Sequence, residues 1–555
     1  MPQDMHIPEE LGLTDQDVNL LQTSQMHPPV TIKTLQELDL MSIMSNVNLR
    51  VDINYDHDLH FMPVKGKRGD QKRKEAQWYW AALALELQIY SFTARQPGPI
   101  AEQQLKMFEQ RLPHLVADLK ALLLTLIPDV EAESINQTLD VPLLMQQVEN
   151  GVLNIAKLAT WLGNLLKSHC APMRDAWADD MVRRIELGLA MDDATCIVAG
   201  LEKLFSILEA MKLDVANHQI RSFRLYLIED TVNFQSAYFH KKIAEQRFDP
   251  STTRKWHEEA QQQHYTCNES TSQNDGTLRF ASLIHGLTAE LTTAGGMARL
   301  PPAFQCDRGR LQQLRTDVQN LIHLDLCCSL LRSLLTGHGA GSTDVSPTEM
   351  LTNFASRLFS LLWDDVRITE QAEEVWQNNT DVIALELARA VYESQNRDTK
   401  DISHAEVARI EQCLSNVLHG QYSQHQRTVN KIHEQVERST MFHAQTFDTM
   451  SPFAMAESQK KWRISRDKLP GTKLPDPEDI SRRLAHIATM NWRVFRDLIY
   501  KPDEHLAAPH RQESTLSLRS IPAQRANPIS SAGRIEEQDL SSGSTARPAE
   551  QNQIG

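Results

Sequence analysis

Two short motifs in the sequence have residue types that suit catalysis. His433 and Glu434 resemble the start of the His-Glu-x-x-His helix of zinc proteases, in which two histidines one turn apart bind the metal. Glu437 stands where the second histidine should be, so we interpret the pair as part of an exposed helical face and predict no metal site. The glycine-rich run 337–341 follows a helix and lacks the Lys-Ser/Thr pair that binds phosphate and magnesium. We interpret this run as a helix connection.

Three aspartates, Asp52, Asp56 and Asp58, are close enough in sequence to surround a cation. They lack the glycine and the terminal glutamate of a calcium-binding loop, so ion pairs with Arg50 and nearby lysines are the favoured interpretation. The sequence also contains no Gly-x-Ser-x-Gly elbow, protein-kinase loop or deaminase zinc signature. We therefore predict a protein without catalytic activity or cofactor, although catalytic groups from distant helices can converge unseen.

Charges are grouped in blocks between residues 49 and 80. The cations 72–74 fall in or just before the first turn of a helix predicted over 74–93, where the helix dipole disfavours them. One interpretation pairs the basic block with the preceding aspartates in a hairpin-like fold-back. The other is a surface that binds an anion, an acidic protein partner or the nuclear-import machinery. The residues assigned to this second interpretation are Arg50, Lys67, Arg68, Lys72, Arg73 and Lys74.

The same segment carries a family resemblance. It resembles the opening signature of the T-complex protein 11 family, which includes the yeast suppressor-of-kinase proteins. The matching residues are Leu49-Arg50-x-Asp52-Ile53-x-Tyr55-Asp56-x-x-Leu59-x-Phe61-x-Pro63, then Gly66-x-Arg68-Gly69 and Tyr79-Trp80. Three other stretches agree with it: Cys170-Ala171-Pro172-Met173-Arg174-Asp175, Leu311-Gln312-Gln313-Leu314-Arg315 and Ser458-Gln459-Lys460-Lys461-Trp462. Together they extend the resemblance over residues 35–500.

The resemblance implies a helical, non-catalytic protein linked to cyclic-AMP (cAMP) and protein kinase A signalling. In fungi it implies a suppressor of kinase loss, and in animals a role in sperm function. It supplies no catalytic residues. The positions taken as the family signature are Asp52, Asp56, Pro63, Gly69, Tyr79, Trp80, Cys170, Pro172, Arg174 and Asp175. Within the last four, Pro172 should end one helix and Asp175 should lie near the start of the next.

Two functions remain open at this point. The leading hypothesis is a regulator or adaptor that binds protein partners in a kinase signalling pathway. The alternative is an enzyme, or a sensor of a phosphorylated small molecule, that uses the cluster 50–74 as its anion site. A closed concavity with converging Arg, Lys and Asp side chains would favour the alternative.

Composition limits where the protein acts. With 57 basic and 72 acidic residues the formal net charge is -15, so we expect no general affinity for nucleic acid. The seven cysteines are scattered without C-x-x-C spacing, which predicts reduced thiols in the cytoplasm or nucleus. The first residues lack the features of a signal peptide, and no apolar run reaches the roughly 20 residues needed to span a bilayer.

Hydrophobic periodicity predicts an all-α fold, a large irregular bundle of many helices. The segment 74–93 is apolar around nearly its whole circumference, so we expect other helices to enclose it. Separate helices are predicted over 193–212 and 216–246, and a capping box is predicted where Ser403 precedes Glu406 by three residues.

Domain boundaries follow from composition. We predict a mostly disordered N-terminal segment over 1–30 and one helical domain over 31–505. The polar stretch 247–276 should be a long connection within that domain, and the Ser-, Pro- and Gln-rich residues 506–555 should form a disordered tail.

Overall fold

The structure is a computed structural model, and it describes residues 13–64, 66–95, 109–267, 275–293, 296–337, 347–368, 372–418, 423–467 and 474–501. Those residues form helices and contain no strand, which confirms the predicted all-α class. In chain order the helices are α1 (Asp15–Thr23), α2 (Leu40–Ser45), α3 (Val47–Asp52), α4 (Gly66–Arg95), α5 (Arg111–Leu126), α6 (Ala132–Thr138), α7 (Val141–Glu149), α8 (Ile155–His169), α9 (Asp175–Met191), α10 (Ala194–Glu229), α11 (Thr231–Ala244), α12 (Ser251–Cys267), α13 (Asp275–Thr292), α14 (Arg308–Gly337), α15 (Pro347–Ile368), α16 (Ala372–Asn378), α17 (Thr380–Ser394), α18 (His404–Leu418), α19 (Ser423–Asp448), α20 (Pro452–Asp467) and α21 (Pro477–Phe495).

The chain divides into two compact units. Among the described residues, the first unit contains those up to Asp39 and Phe61–Ala216, and the second contains Leu40–His60 and the residues from Asn217 onward. The second unit therefore takes α2 and α3 from the N-terminal part of the sequence. The single domain over 31–505 stays a prediction, since only an unfolding experiment can tell whether the two units unfold together.

Helix α4 supplies much of the core of the first unit. Tyr79, Trp80 and Leu83 are buried, and the ring centroid of Trp80 lies 5.7 Å from that of Phe205 in α10. The prediction that this helix is enclosed is wrong, because Trp78 on another face is 56% exposed. The sequence overestimates enclosure here because an exposed tryptophan adds as much apolar character to the pattern as a buried one does.

The N-terminal segment differs from the predicted disorder over 1–30. Helix α1 forms within it, and a capping box between Thr14 and Asp17 stabilises its start. Leu21 of α1 packs against Ala82 and Ile89 of α4, so the short helix buries apolar surface in the first unit. Residues 1–12 lie outside the described part of the chain.

The second unit is built around α21. Almost every position from Ile480 to Phe495 is buried, and the buried residues include polar ones such as Ser481 and Asn491. Asn491 donates to the carbonyl oxygen of Ala303 at 3.0 Å and accepts from the Tyr500 hydroxyl at 2.8 Å. A buried polar group with its hydrogen bonds made is tolerated in a core, so α21 is largely enclosed although it looks only half apolar in sequence.

Two local predictions need correction. The described part of the polar stretch 247–276 is mainly helical, because α12 places Trp256 and Ala260 on one buried face and its charged residues outside. Helix α10 runs unbroken through the break predicted near residue 214. The capping box at Ser403 is confirmed in part, since the Glu406 amide donates to the Ser403 hydroxyl at 3.3 Å.

The predicted disordered tail over 506–555 lies outside the described residues. Among the helices that the structure describes, none combines the length and the apolar character needed to cross a membrane.

Candidate functional site

The basic residues of the cluster 50–74 lie mostly along the exposed start of α4. Lys67, Arg68 and Lys74 are exposed, Lys72 lies 3.3 Å from Glu209, and Arg73 pairs with Asp70. Because α4 begins at Gly66, the cations 72–74 lie beyond its first turn, and the unfavourable dipole acts on Lys67 and Arg68 instead. Exposed ion pairs of this kind contribute about 0–1 kcal/mol, so these side chains are free to exchange partners.

Arg50 has a different environment from the rest of its predicted cluster. Its side chain is 1% exposed and donates to Asp230 at 2.5 Å, with the guanidinium carbon 4.4 Å from the centre of the Phe234 ring. The Arg50 carbonyl oxygen also accepts from Thr231 at 3.1 Å. Arg50 therefore connects α3 to the start of α11. Because its side chain is buried, Arg50 does not belong to a surface anion site.

The aspartates of the predicted hairpin-like pairing bind distant partners. Asp52 accepts from Arg310 at 2.5 Å. Arg224 donates to the carbonyl oxygens of Ile53 and Asp56 at 3.0 and 2.7 Å. These contacts hold the segment after α3 in place. Asp52 therefore pairs with Arg310 and not, as the hairpin-like interpretation had predicted, with the basic block.

The remaining signature residues near α4 have structural roles. Pro63 is exposed in the extended stretch before the helix. A Cβ atom at Gly69 would collide with the carbonyl oxygen of Val64, so only glycine fits where the chain turns back against α4. Tyr79 and Trp80 belong to the core described above.

The stretch Cys170 to Asp175 forms the predicted helix boundary. The Cys170 amide caps α8 by donating to Leu166 at 2.7 Å, and Pro172 opens a 3₁₀ turn that leads into α9 at Asp175. Arg174 pairs with Asp214 at 2.7 Å. Burial raises the pKa of the Cys170 thiol, with Asp175 adding to the effect, so this cysteine is not an activated nucleophile.

Three of the four family stretches meet in one pocket of the second unit, which we call the Tyr55 pocket. Its volume is about 190 Å³. The wall of the pocket is formed by the segment after α3 and by helices α14, α20 and α21. The lining residues are Tyr55, His57, Arg310, Gln313, Leu314, Gln459, Trp462, Arg463, Asp479, Arg483, His486 and Ile487.

Two arginines of the Tyr55 pocket are held in place by carboxylates. Arg310 pairs with Asp52 at 2.5 Å and with Asp307 at 2.9 Å. Arg483 lies 2.5 Å from Asp317 and 2.9 Å from Asp479. Paired guanidinium groups lose little further freedom when a ligand arrives, so these walls are preorganised.

Other polar groups of the Tyr55 pocket have no described hydrogen-bond partner. The Nε2 atom of His486 and the Nε1 atom of Trp462 are buried without one. Burial, reinforced by the charge of Arg310, lowers the pKa of His486 to about 3, so the imidazole is neutral at physiological pH. Arg463 is exposed at the rim, and no ion pair is described for it. Buried polar atoms without an internal partner can form hydrogen bonds with a water molecule or with the polar atoms of a ligand.

Sequence reasoning missed the residues that α21 contributes. Asp479, Arg483 and His486 follow one another at four- and three-residue intervals, and therefore lie on one face of a helix. Polar residues on one stripe of a helix that is otherwise buried are the signal that was available. Asp307 and Asp317 had no such signal, and nothing in the sequence indicated that Asp52 pairs with Arg310.

Comparison with known proteins finds relatives of one family. The family model described as T-complex protein 11 matches residues 49–504. Protein SOK1 of Saccharomyces cerevisiae is 30% identical over 367 residues, which is 66% of this chain and 40% of that protein. The T-complex protein 11 homolog of Rattus norvegicus is 25% identical over 334 residues, 55% of each chain.

A third relative, the human T-complex protein 11-like X-linked protein 1, is 30% identical over 145 residues, or 26% of this chain and 27% of that protein. The chain thus spans between about a quarter and a little over half of the length of these relatives. No solved structure matches it.

Proposed function

The chain belongs to the T-complex protein 11 family, and from that premise we propose that it is a non-catalytic regulator or adaptor in intracellular signal transduction, linked to the cAMP and protein kinase A pathway. The observation that carries the proposal is the convergence of three family stretches on the Tyr55 pocket. Stretches that carry the family resemblance and gather around one concavity support a binding role for that concavity.

The polar groups of the Tyr55 pocket support binding of a protein segment. Arg463, Trp462 and, in one tautomer, His486 offer N–H donors, while Tyr55 and Leu314 supply apolar contact. Backbone carbonyls and carboxylates of a partner would accept those hydrogen bonds, and tryptophan and arginine are the side chains that most often anchor protein interfaces. A polar segment of a signalling partner is therefore the ligand that we propose.

The exposed basic face of α4 supports a second contact with an acidic partner. Lys67, Arg68 and Lys74 are exposed there, on a protein whose net charge is -15. A local basic patch on an acidic protein steers one kind of partner without general affinity for anions. The same patch suits nuclear import, and we propose action in the cytoplasm, the nucleus or both.

The alternative, an enzyme or sensor that binds a phosphorylated small molecule at 50–74, has less support. Arg50 is buried against Asp230, and Lys67, Arg68 and Lys74 are exposed along a helix. Phosphate sites usually gather donors into a concave site, as the N-terminal nests of phosphate-binding loops do. The arrangement of this cluster fits a protein surface better.

Growth of yeast cells with insufficient protein kinase A activity tests the proposal. We expect the full-length chain to restore growth in such cells, and Arg463→Glu to abolish the rescue, because reversing a rim charge of the pocket should weaken partner binding about tenfold or more. The matched control is Arg409→Glu, the same charge reversal at an exposed position of α18 that does not line the pocket.

The variants must be equally abundant and equally stable for the comparison to count. Arg463 and Arg409 are both exposed, so neither substitution should lower the melting temperature by more than a few degrees. Absence of rescue by the wild-type chain, or equal rescue by both variants, would show that the proposed function is wrong.

A further inference from the structure

Three metal-ligating side chains lie together in the second unit, apart from the Tyr55 pocket. They are His285 of α13 with His433 and Glu437 of α19, and one ligand atom from each lies within 4.8 Å of the others. All three are partly buried, with 12%, 19% and 24% of their side chains exposed. The interpretation of His433 as part of an exposed helical face therefore needs correction. The second histidine that the sequence motif lacks comes from a different helix.

The two imidazoles face the same carboxylate. Nδ1 of His285 lies 3.1 and 3.2 Å from the two oxygens of Glu437, and Nε2 of His433 lies 3.1 Å from Oε2.

Thr292 lies against the other nitrogen of His433. Its hydroxyl is 3.2 Å from Nδ1 of His433 and 2.9 Å from the carbonyl oxygen of Thr288. Nε2 of His433 is thereby held toward Glu437, 3.1 Å from Oε2. One nitrogen of each imidazole thus faces the same carboxylate.

We propose that His285, His433 and Glu437 bind a divalent cation of the zinc class, and that this ion joins α13 to α19. Two imidazole nitrogens and one carboxylate oxygen are ligands that zinc and its neighbours in the first transition series accept. A tetrahedral zinc site with bonds near 2.1 Å has its ligand atoms about 3.4 Å apart. Nδ1 of His285 and Nε2 of His433 each lie 3.1 Å from an oxygen of Glu437, close to that value.

The surroundings of the three ligands suit a metal site. Thr292 is itself 6% exposed and lies 3.2 Å from the His433 nitrogen that faces away from Glu437, so it can orient the imidazole as the hydrogen-bond partners of zinc-binding histidines do. The ring of His264, on α12, lies 5.5 Å from the ring of His285 and borders the site on a third helix. Three protein ligands leave one coordination position open, which water would fill.

Zinc binding by the full-length chain tests this inference. After removal of metal with a chelator, we expect the wild type to bind Zn²⁺ at this site, and Co²⁺ to give the visible absorption of a four-coordinate ion. Glu437→Gln should weaken Zn²⁺ binding about 100-fold, because the charged ligand is lost. Glu434→Gln is the matched control: the same change of charge on the same helix at an exposed position, with an expected effect below about twofold.

A second variant separates metal binding from folding. Thr292→Val keeps the side-chain shape and removes the hydrogen bond to His433, so we expect about tenfold weaker Zn²⁺ binding. Zn²⁺ should also raise the melting temperature of the wild type and of Glu434→Gln, but not that of Glu437→Gln. Failure of the wild type to bind Zn²⁺, or affinity of Glu437→Gln within threefold of wild type, would overturn the inference.

Discussion

Replacing Glu86 by alanine is expected to lower the free energy of unfolding of the first unit by about 3–5 kcal/mol. The Glu86 side chain is fully buried, and its two oxygens accept from the backbone amides of Arg111 and Leu112, each at 2.9 Å. These amides open α5, where the first turn of a helix has no partners of its own. The guanidinium of Arg111 lies 3.8 Å away and is also fully buried.

The loss should be large because three groups lose their partner at once. Arg111 also donates to the carbonyl oxygens of Leu21 and Ser24, so it ties the N-terminal segment to α5. Chemical denaturation gives the free energy, and hydrogen exchange should show lost protection at the first turn of α5. Glu75→Ala, at an exposed position of α4, is the control and should cost less than about 1 kcal/mol. A loss below 1 kcal/mol for Glu86→Ala would show that this carboxylate does not hold α5.

Replacing Asp230 by alanine should have the second largest effect, about 3 kcal/mol in the second unit. Asp230 accepts from Arg50 at 2.5 Å, and Arg50 is 1% exposed between aromatic rings. Without the carboxylate, a charged guanidinium stays buried beside Phe234 with no described anion to offset it. This expected loss of stability is smaller than that for a fully buried ion pair, because the side chain of Asp230 is 32% exposed.

A double-mutant cycle tests this pair. Arg50→Met removes the buried charge and keeps an unbranched apolar side chain, so adding it to Asp230→Ala should restore at least half of the lost stability. Glu245→Ala, which breaks only exposed pairs with Lys241 and Arg247, is the control and should change stability by less than about 1 kcal/mol. Additive losses in the double variant would contradict a direct interaction between Arg50 and Asp230.

Helical periodicity was sufficient to predict the class of fold but not which helix is enclosed. α4 and α21 show why. The apolar residues of α4 include the exposed Trp78, whereas the polar residues of α21 include the buried Ser481 and Asn491. A one-dimensional pattern counts residue types, and burial depends on whether a distant group satisfies each polar atom.

The charged segment 49–80 shows that the sequence was also insufficient to predict ion-pair partners at the candidate site. Blocks of opposite charge close in sequence predicted local pairing, yet Arg50 pairs with Asp230, 180 residues away, and Asp52 pairs with Arg310. Two residues so far apart in sequence form no periodic pattern, so a single sequence does not reveal that they pair.

The stretches that carry the family resemblance supply residues that line the Tyr55 pocket. Only the three-dimensional structure shows that these stretches meet there.

Site-specific crosslinking tests the central claim, that the Tyr55 pocket holds a signalling partner, most directly. A photoreactive amino acid would replace Arg463 at the pocket rim of the full-length chain in cells, with the same amino acid at Arg409 as the control. We predict that position 463 crosslinks to a protein of the cAMP and protein kinase A pathway and that position 409 does not. No crosslinked protein at 463, or the same proteins at both positions, would contradict the account.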